Sequence, residues 1–141
     1  MAAELLKQCF QIQGRNFDKA GEISGEIKVI LKDLGIDAAN VRRVVIVAFE
    51  AEMNVVMYAQ SGTLTFILTD DAIHLIIQDA GPGIPDIEQA LQEGYSTASD
   101  EMREMGFGAG MGLPNIKRNS DAFEVSSVLG NGTKLTMIFN L

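Results

Sequence analysis

Apolar positions change their spacing several times along the chain, and each change predicts an element. From Leu6 to Ile12 they alternate with polar residues, which predicts an edge strand, and Gly14 with Asn16-Phe17-Asp18 predicts a turn in which Asp18 caps the next helix. Between Lys19 and Leu34, the residues Ile23, Ile27, Ile30, Leu31 and Leu34 recur three and four apart, so they share one helical face that Gly35 brings to an end. Asp37 opens a second apolar-periodic run through Val41, Val44, Val45, Ala48, Phe49, Ala51 and Val55 to Tyr58. This run is rich in β-branched residues, so the helix must draw its stability from packing rather than propensity.

Beyond Ser61-Gly62, the segments Thr63–Leu68 and Ile73–Ile77 predict a hairpin closed at Asp70-Asp71. A short helix is expected over Ile84–Leu91, after which Gly94–Met105 is polar and without period and predicts a mobile loop. A glycine-dense segment precedes a helix over Leu113–Asn119, and strands Phe123–Val128 and Thr133–Phe139 flank Gly130-Asn131-Gly132. No repeat or low-complexity linker interrupts the order. With 141 residues, 47% of them hydrophobic, the chain is expected to fold as a single domain over residues 1–141.

Charge and composition narrow the partners. The net charge is -8 with only 11 Lys and Arg, which argues against direct binding of a nucleic-acid backbone. It does not argue against a nucleotide, whose phosphates can be held by backbone N–H groups, a helix N-terminus and a divalent cation. The lone cysteine, Cys9, can build neither a disulfide framework nor a cysteine metal site, and its apolar setting predicts core packing. The first residues lack a leader pattern and no segment reaches membrane-spanning length, so a cytoplasmic location without membrane contact is expected. His74, the sole histidine, alternates with apolar strand residues and reads as a surface position. The seven methionines are scattered and read as core filling.

Three segments carry candidate chemistry. Glu50 and Asn54 are four apart on the second helix and project from one face, while Glu52 between them points elsewhere. They are either a solvated helix pair or a carboxylate and a carboxamide placed to meet a metal and a water, and their setting among Val47, Ala48, Ala51 and Val55 weighs against the first. Asp79 follows the apolar strand, so a carboxylate stands at the mouth of the sheet, where it can accept a hydrogen bond from an exocyclic amine such as that of adenine. Gly81 and Gly83 in Asp79-Ala80-Gly81-Pro82-Gly83 either make an ordinary turn or let the backbone approach a planar base. Gly106, Gly108, Gly110 and Gly112 fall directly before a helix, a placement suited to wrapping phosphates with N–H groups. The dinucleotide pattern G-x-G-x-x-G fails at Met111 and Leu113, and no P-loop sequence occurs.

Taken in order and spacing, these segments resemble the N, G1 and G2 boxes of the ATPase superfamily that includes gyrase, heat-shock protein 90, sensor histidine kinases and MutL, which share the Bergerat ATP-binding fold. Gly112-Leu113-Pro114-Asn115-Ile116 and the short chain resemble the anti-sigma factor and stressosome switch-kinase branch. The resemblance implies an α+β protein, a two-layer α/β sandwich whose mixed, mostly antiparallel sheet is covered on one face by helices. It implies ATP and Mg²⁺ as cofactors, with Asn54 holding Mg²⁺ and Glu50 acting as base or water-orienting residue. Asp79 would bond the adenine amine, Gly81, Gly83 and Ile84 would shape the base pocket, and Thr133 would support it through Asp79. Gly106, Gly108, Ala109, Gly110, Met111, Gly112 and Leu113 would line the phosphates beneath a lid over residues 96–105. Arg103 and Lys117 are candidates for sharing the phosphate charge.

The activity so implied is transfer of the γ-phosphate to Ser or Thr of a STAS-domain antagonist protein, an anti-anti-sigma factor, with a sigma factor or downstream phosphatase as further partners. An ATP-gated binding module that holds a sigma factor without phosphorylation, a nucleotide sensor, and a detached histidine-kinase catalytic domain stay open beside it. A homodimer paired through the first strand is a further expectation. The chain departs from many relatives in carrying Tyr58 where they have His, and in placing Glu52 between Glu50 and Asn54.

Overall fold

In a computed structural model, residues 3–84, 87–92 and 112–141 are described. The chain runs through β1 (Glu4–Gln13), a 3₁₀ turn at Phe17–Lys19, α1 (Glu22–Asp33), α2 (Ala38–Tyr58), β2 (Ser61–Thr69) and β3 (Ala72–Asp79). It continues through a single helical turn α3 (Ile87–Ala90), α4 (Gly112–Asn119), β4 (Ala122–Val128) and β5 (Gly132–Asn140). The five strands form one sheet in the order β1-β2-β3-β5-β4. Every pairing among them is antiparallel, so the mixed sheet expected from the sequence is purely antiparallel in the described residues.

Alternation decides which face is covered. Leu64, Phe66 and Leu68 of β2, Ile73, Leu75 and Ile77 of β3, and Leu135, Met137 and Phe139 of β5 all bury toward the helices. They meet Val44, Val47, Ala48, Ala51 and Val55 of α2, Ile27 and Leu31 of α1, and Ile116 of α4 in one core. The result is the two-layer α+β sandwich, with helices on one face. Buried Met53, Met57 and Met137 belong to this core, and half-buried His74 lies on the opposite face of the sheet.

Helix ends explain the boundaries. Asp37 caps α2 by accepting the Ala39 N–H at 3.1 Å, as its sequence position predicts. At the end of α1, Gly35 (φ 74°) donates to the Lys32 carbonyl and Ile36 to the Leu31 carbonyl, the paired bonds of a Schellman motif.

Three expectations are corrected. Asp18 lies in the 3₁₀ turn and does not cap α1, which starts later, at Glu22 after Gly21 (φ 95°). Cys9 is exposed, not core: alternation along β1 turns Leu6, Phe10 and Ile12 to the helices and therefore Cys9 to the outer face, beside Thr65 Oγ1 at 3.7 Å. The helix expected over Ile84–Leu91 is narrower, Ile87–Ala90 among the described residues, and the Ile84 N–H donates to Ser127 Oγ of β4 at 2.7 Å. No helix among the described residues is long and apolar enough to cross a membrane.

Candidate functional site

α2 is the frame of the site. It packs between α1 and α4 above the sheet, so its three faces meet three different neighbours. Residues seven and four apart, Arg43, Glu50 and Asn54, form the stripe turned to α4. Glu50 and Asn54 are half-buried.

α4 arrives with its first residue at this stripe. A Cβ placed on Gly112 would lie 3.3 Å from Asn54 Oδ1 and 3.3 Å from Glu50 Oε2, so only a glycine backbone fits between helix start and side chains without displacement. One turn on, Asn115 Nδ2 donates to Glu50 Oε1 at 3.4 Å. Pro114 falls in the first turn of the helix, where a missing N–H costs nothing. The far end is tied down by Arg43, which donates to the Asn119 carbonyl at 3.4 Å and pairs with Asp121 at 3.1 Å. Burial raises the Glu50 carboxyl above its ordinary value, and the Asn115 hydrogen bond offsets part of that rise. A half-buried carboxylate with raised affinity for protons has the chemistry to take one from a hydroxyl.

Glu52 has a separate task. Its carboxylate is buried and accepts the backbone N–H groups of Gly21 (3.1 Å) and Ile23 (3.4 Å) on Oε2 and of Ser24 (3.2 Å) on Oε1. Glu52 thus satisfies the open N-terminus of α1 from a neighbouring helix, doing what Asp18 was expected to do.

The second half of the site lies where β3 leaves the sheet. Asp79 Oδ1 accepts the N–H groups of Gly81 at 3.0 Å and Thr133 at 3.1 Å, while Oδ2 accepts none among the described residues. Burial raises this carboxyl also, against the lowering effect of the two backbone bonds, Thr133 first. Gly83 (φ 82°) takes a backbone conformation unfavourable to other residues, and the Pro82 carbonyl accepts the Gly130 N–H at 2.9 Å, fastening this turn to the β4–β5 hairpin. Ser127 completes the fastening through Ile84 and through Thr133 Oγ1 at 3.1 Å.

The structure therefore brings Glu50, Asn54 and Gly112 together, with Leu113 next in the helix, and separately gathers Asp79, Gly81, Gly83, Ile84 and Thr133. Gly106, Gly108, Ala109, Gly110 and Met111, together with Arg103 and the expected lid, lie outside the described residues. Lys117 is exposed in the last turn of α4, at the end opposite Gly112. Sequence reasoning gave no role to Asn115 or Ser127. Asn115 was legible as three residues beyond Gly112 on one helix face, and Ser127, unlike Ser126, as the position that alternation puts on the inner face of β4 with Phe123 and Val125.

The oxygen donors at Glu50 and Asn54 are hard ligands of the kind Mg²⁺ accepts when phosphates and water supply its remaining positions. No cluster of three or more His, Cys, Asp or Glu that could hold a metal by itself occurs among the described residues.

Residues 16–139 match the model of the histidine kinase-like ATPase domain. The chain is 33% identical to serine/threonine-protein kinase RsbT of Bacillus subtilis (strain 168) over 77% of its length and 79% of the relative. It is 37% identical to an anti-sigma F factor of Clostridium beijerinckii over 50% of the chain, a match that spans 46% of that relative's length. Among solved structures, the SiaB-SiaC complex from Pseudomonas aeruginosa contains a chain similar in fold, with a TM-score of 0.65 at 14% identity, covering 96% of this chain and 89% of that one.

Proposed function

The chain belongs to the histidine kinase-like ATPase family, in its anti-sigma kinase branch, and from that premise we propose that it is a serine/threonine protein kinase acting on a STAS-domain antagonist protein. The observation that carries this reading is the seating of Gly112, first residue of α4, against both Glu50 Oε2 and Asn54 Oδ1. A base, a metal ligand and a helix N-terminus converge there, which is what positioning and neutralising a phosphoryl group require.

Adenine is read by the Asp79 carboxylate, whose Oδ1 is committed to backbone and whose Oδ2 is left to accept the exocyclic amine. Gly81 and Gly83 bring the turn close to the base, and Thr133 holds Asp79 in place. Asn54 would hold Mg²⁺, which would supply neutralisation of the phosphate charge. The backbone N–H groups at the start of α4, with Gly112 and Leu113, favour anionic phosphate oxygens. Glu50 takes the proton of the incoming Ser or Thr hydroxyl as its oxygen bonds to the γ-phosphorus and the bond to the bridging oxygen of ADP breaks. The protein so described works in the cytoplasm as a regulator of transcription, and a homodimer through the outer edge of β1 belongs to the same reading.

A second reading, an ATP-gated module that holds a sigma factor without phosphorylating anything, draws on the similarity to anti-sigma F factors. Transfer of labelled γ-phosphate from Mg²⁺-ATP into proteins of a lysate of the source organism separates the two. A labelled band with the wild type and none with Glu50→Gln is expected; no band with nucleotide binding intact overturns the kinase and favours the binding module.

A further inference from the structure

The face of α4 turned to α2 is made of Gly112, Asn115 and Asn119, spaced three and four apart. Each meets its own part of the α2 stripe. Gly112 seats against Glu50 and Asn54, Asn115 donates to Glu50 Oε1, and the Asn119 carbonyl accepts from Arg43. Asn119 also donates its carboxamide N–H to the Asn115 carbonyl at 2.8 Å, while Arg43 reaches Asn40 Oδ1 at 2.8 Å and lies 5.7 Å from the centre of the Phe139 ring. The helix that carries Asn115 is therefore fixed along α2 at both ends, and the Asn115 carboxamide has a set place relative to Glu50.

Resting on the kinase reading above, we propose that Asn115 is a positioning residue for Glu50, holding Oε1 so that Oε2, the oxygen beside Gly112 and Asn54, takes the proton of the attacking hydroxyl. A glutamate on a helix has several rotamers, and its two carboxylate oxygens exchange by rotation about the last bond. Binding one oxygen to a donor on a second helix selects one rotamer and one face of the carboxylate. The donor is neutral, so it orients Glu50 without pairing away its charge. In the step itself the hydroxyl oxygen bonds to the γ-phosphorus, the bond from phosphorus to the bridging oxygen breaks, ADP carries off that electron pair, and the proton passes to Oε2. Asn115 touches neither reacting group and acts only through Glu50.

The test compares wild type, Asn115→Ala, Asn115→Ser, Glu50→Gln and the double variant Asn115→Ala/Glu50→Gln. Each is assayed for phosphate transfer from Mg²⁺-ATP to the acceptor protein identified in the lysate assay, and for affinity toward a fluorescent ATP analogue. Asn115→Ala is expected to lower kcat about tenfold while KM for ATP and analogue affinity stay within about twofold. Asn115→Ser, which keeps a shorter donor, is expected to fall between it and the wild type. In the Glu50→Gln background the alanine change is expected to remove nothing further. An unchanged kcat in Asn115→Ala, a loss confined to KM or analogue affinity, or an equal loss in the Glu50→Gln background overturns the positioning role. If the wild type itself transfers no phosphate, it is the kinase reading that fails; transfer by the wild type with an unaffected Asn115→Ala rejects the positioning role alone.

Discussion

Glu50 and Glu52 stand two residues apart on α2 and serve opposite neighbours: Glu50 is bonded by Asn115 of α4, and Glu52 by three backbone N–H groups at the start of α1. A two-residue step rotates a helical side chain by more than half of a right angle past perpendicular, so one carboxylate can enter the site while the next is sealed away from it. The burial of Glu52, at 2% exposure, makes its bonds hard to replace.

Glu52→Gln is expected to destabilise the fold while sparing chemistry. Both carboxylate oxygens accept N–H groups, so a glutamine must turn its own NH₂ toward one set of donors and leave them unmet. The cost is about 1–3 kcal/mol, the range for buried donors left without partners. Denaturation midpoints in urea check it, and phosphate transfer by the folded variant, corrected for the folded fraction, is expected to remain within about twofold of wild type. A variant with normal stability and no transfer would move Glu52 into the active site.

Burial raises the Glu50 carboxyl, and this fixes the sign of a pH effect. A carboxylate whose folded pKa exceeds its unfolded one binds protons better in the native state. Its contribution to stability is present below the unfolded value and is lost as pH rises through the folded one. Glu50→Gln, which has no charge to desolvate, is therefore expected to match the wild type near pH 4 and to melt at a higher temperature than it at pH 7. Melting curves of the two proteins across that range decide the matter: a gap that narrows as pH rises contradicts the argument. The same variant is expected to lose transfer, so stability and activity are expected to move in opposite directions at this residue.

Much of the fold was legible because single residues state their own role. Asp37 before the apolar-periodic run predicts the start of α2, and Gly35 after Leu34 predicts the left-handed residue that ends α1. Glu52 was legible only as a residue on a different face from Glu50. What it meets, the N-terminus of α1 some thirty residues earlier, depends on how two helices pack and leaves no trace in local spacing. Cys9 shows the complementary failure: an apolar neighbourhood suggested burial, but parity within β1 gives Phe10 and Ile12 the inner face and leaves Cys9 outside.

Asp79→Asn tests base recognition. The asparagine keeps its one oxygen for the Gly81 and Thr133 N–H groups, so the turn is expected to persist, while the place of Oδ2 is taken by the NH₂. An NH₂ there is a donor, so it cannot accept from an exocyclic amine and faces it with a second donor. ATP affinity is expected to fall about tenfold to a hundredfold, with the preference for ATP over GTP reduced by the same order, consistent with the loss of a hydrogen bond to a charged group. Competition against a fluorescent ATP analogue measures both, and a variant that keeps its full preference for ATP removes Asp79 from the base pocket.

Gly112 and Gly83 differ in what an added side chain would meet: side-chain oxygens at the first, backbone at the second. At Gly83 the conformation itself excludes a side chain, with φ at 82° and an added Cβ only 2.7 Å from the Val128 carbonyl oxygen. Gly83→Ala is expected to cost about 1–3 kcal/mol in stability through strain alone. At Gly112 the backbone is helical, a conformation alanine adopts without strain. What the new methyl meets there is Asn54 Oδ1 and Glu50 Oε2, each at 3.3 Å, so those side chains must give way. Gly112→Ala is accordingly expected to melt no lower than the wild type yet to lose at least about tenfold in phosphate transfer, the order of loss that a misplaced reacting group brings. Melting temperature and transfer rate measured on the same sample make the comparison, and a Gly112→Ala protein that transfers phosphate at the wild-type rate would show that the start of α4 does not belong to the site.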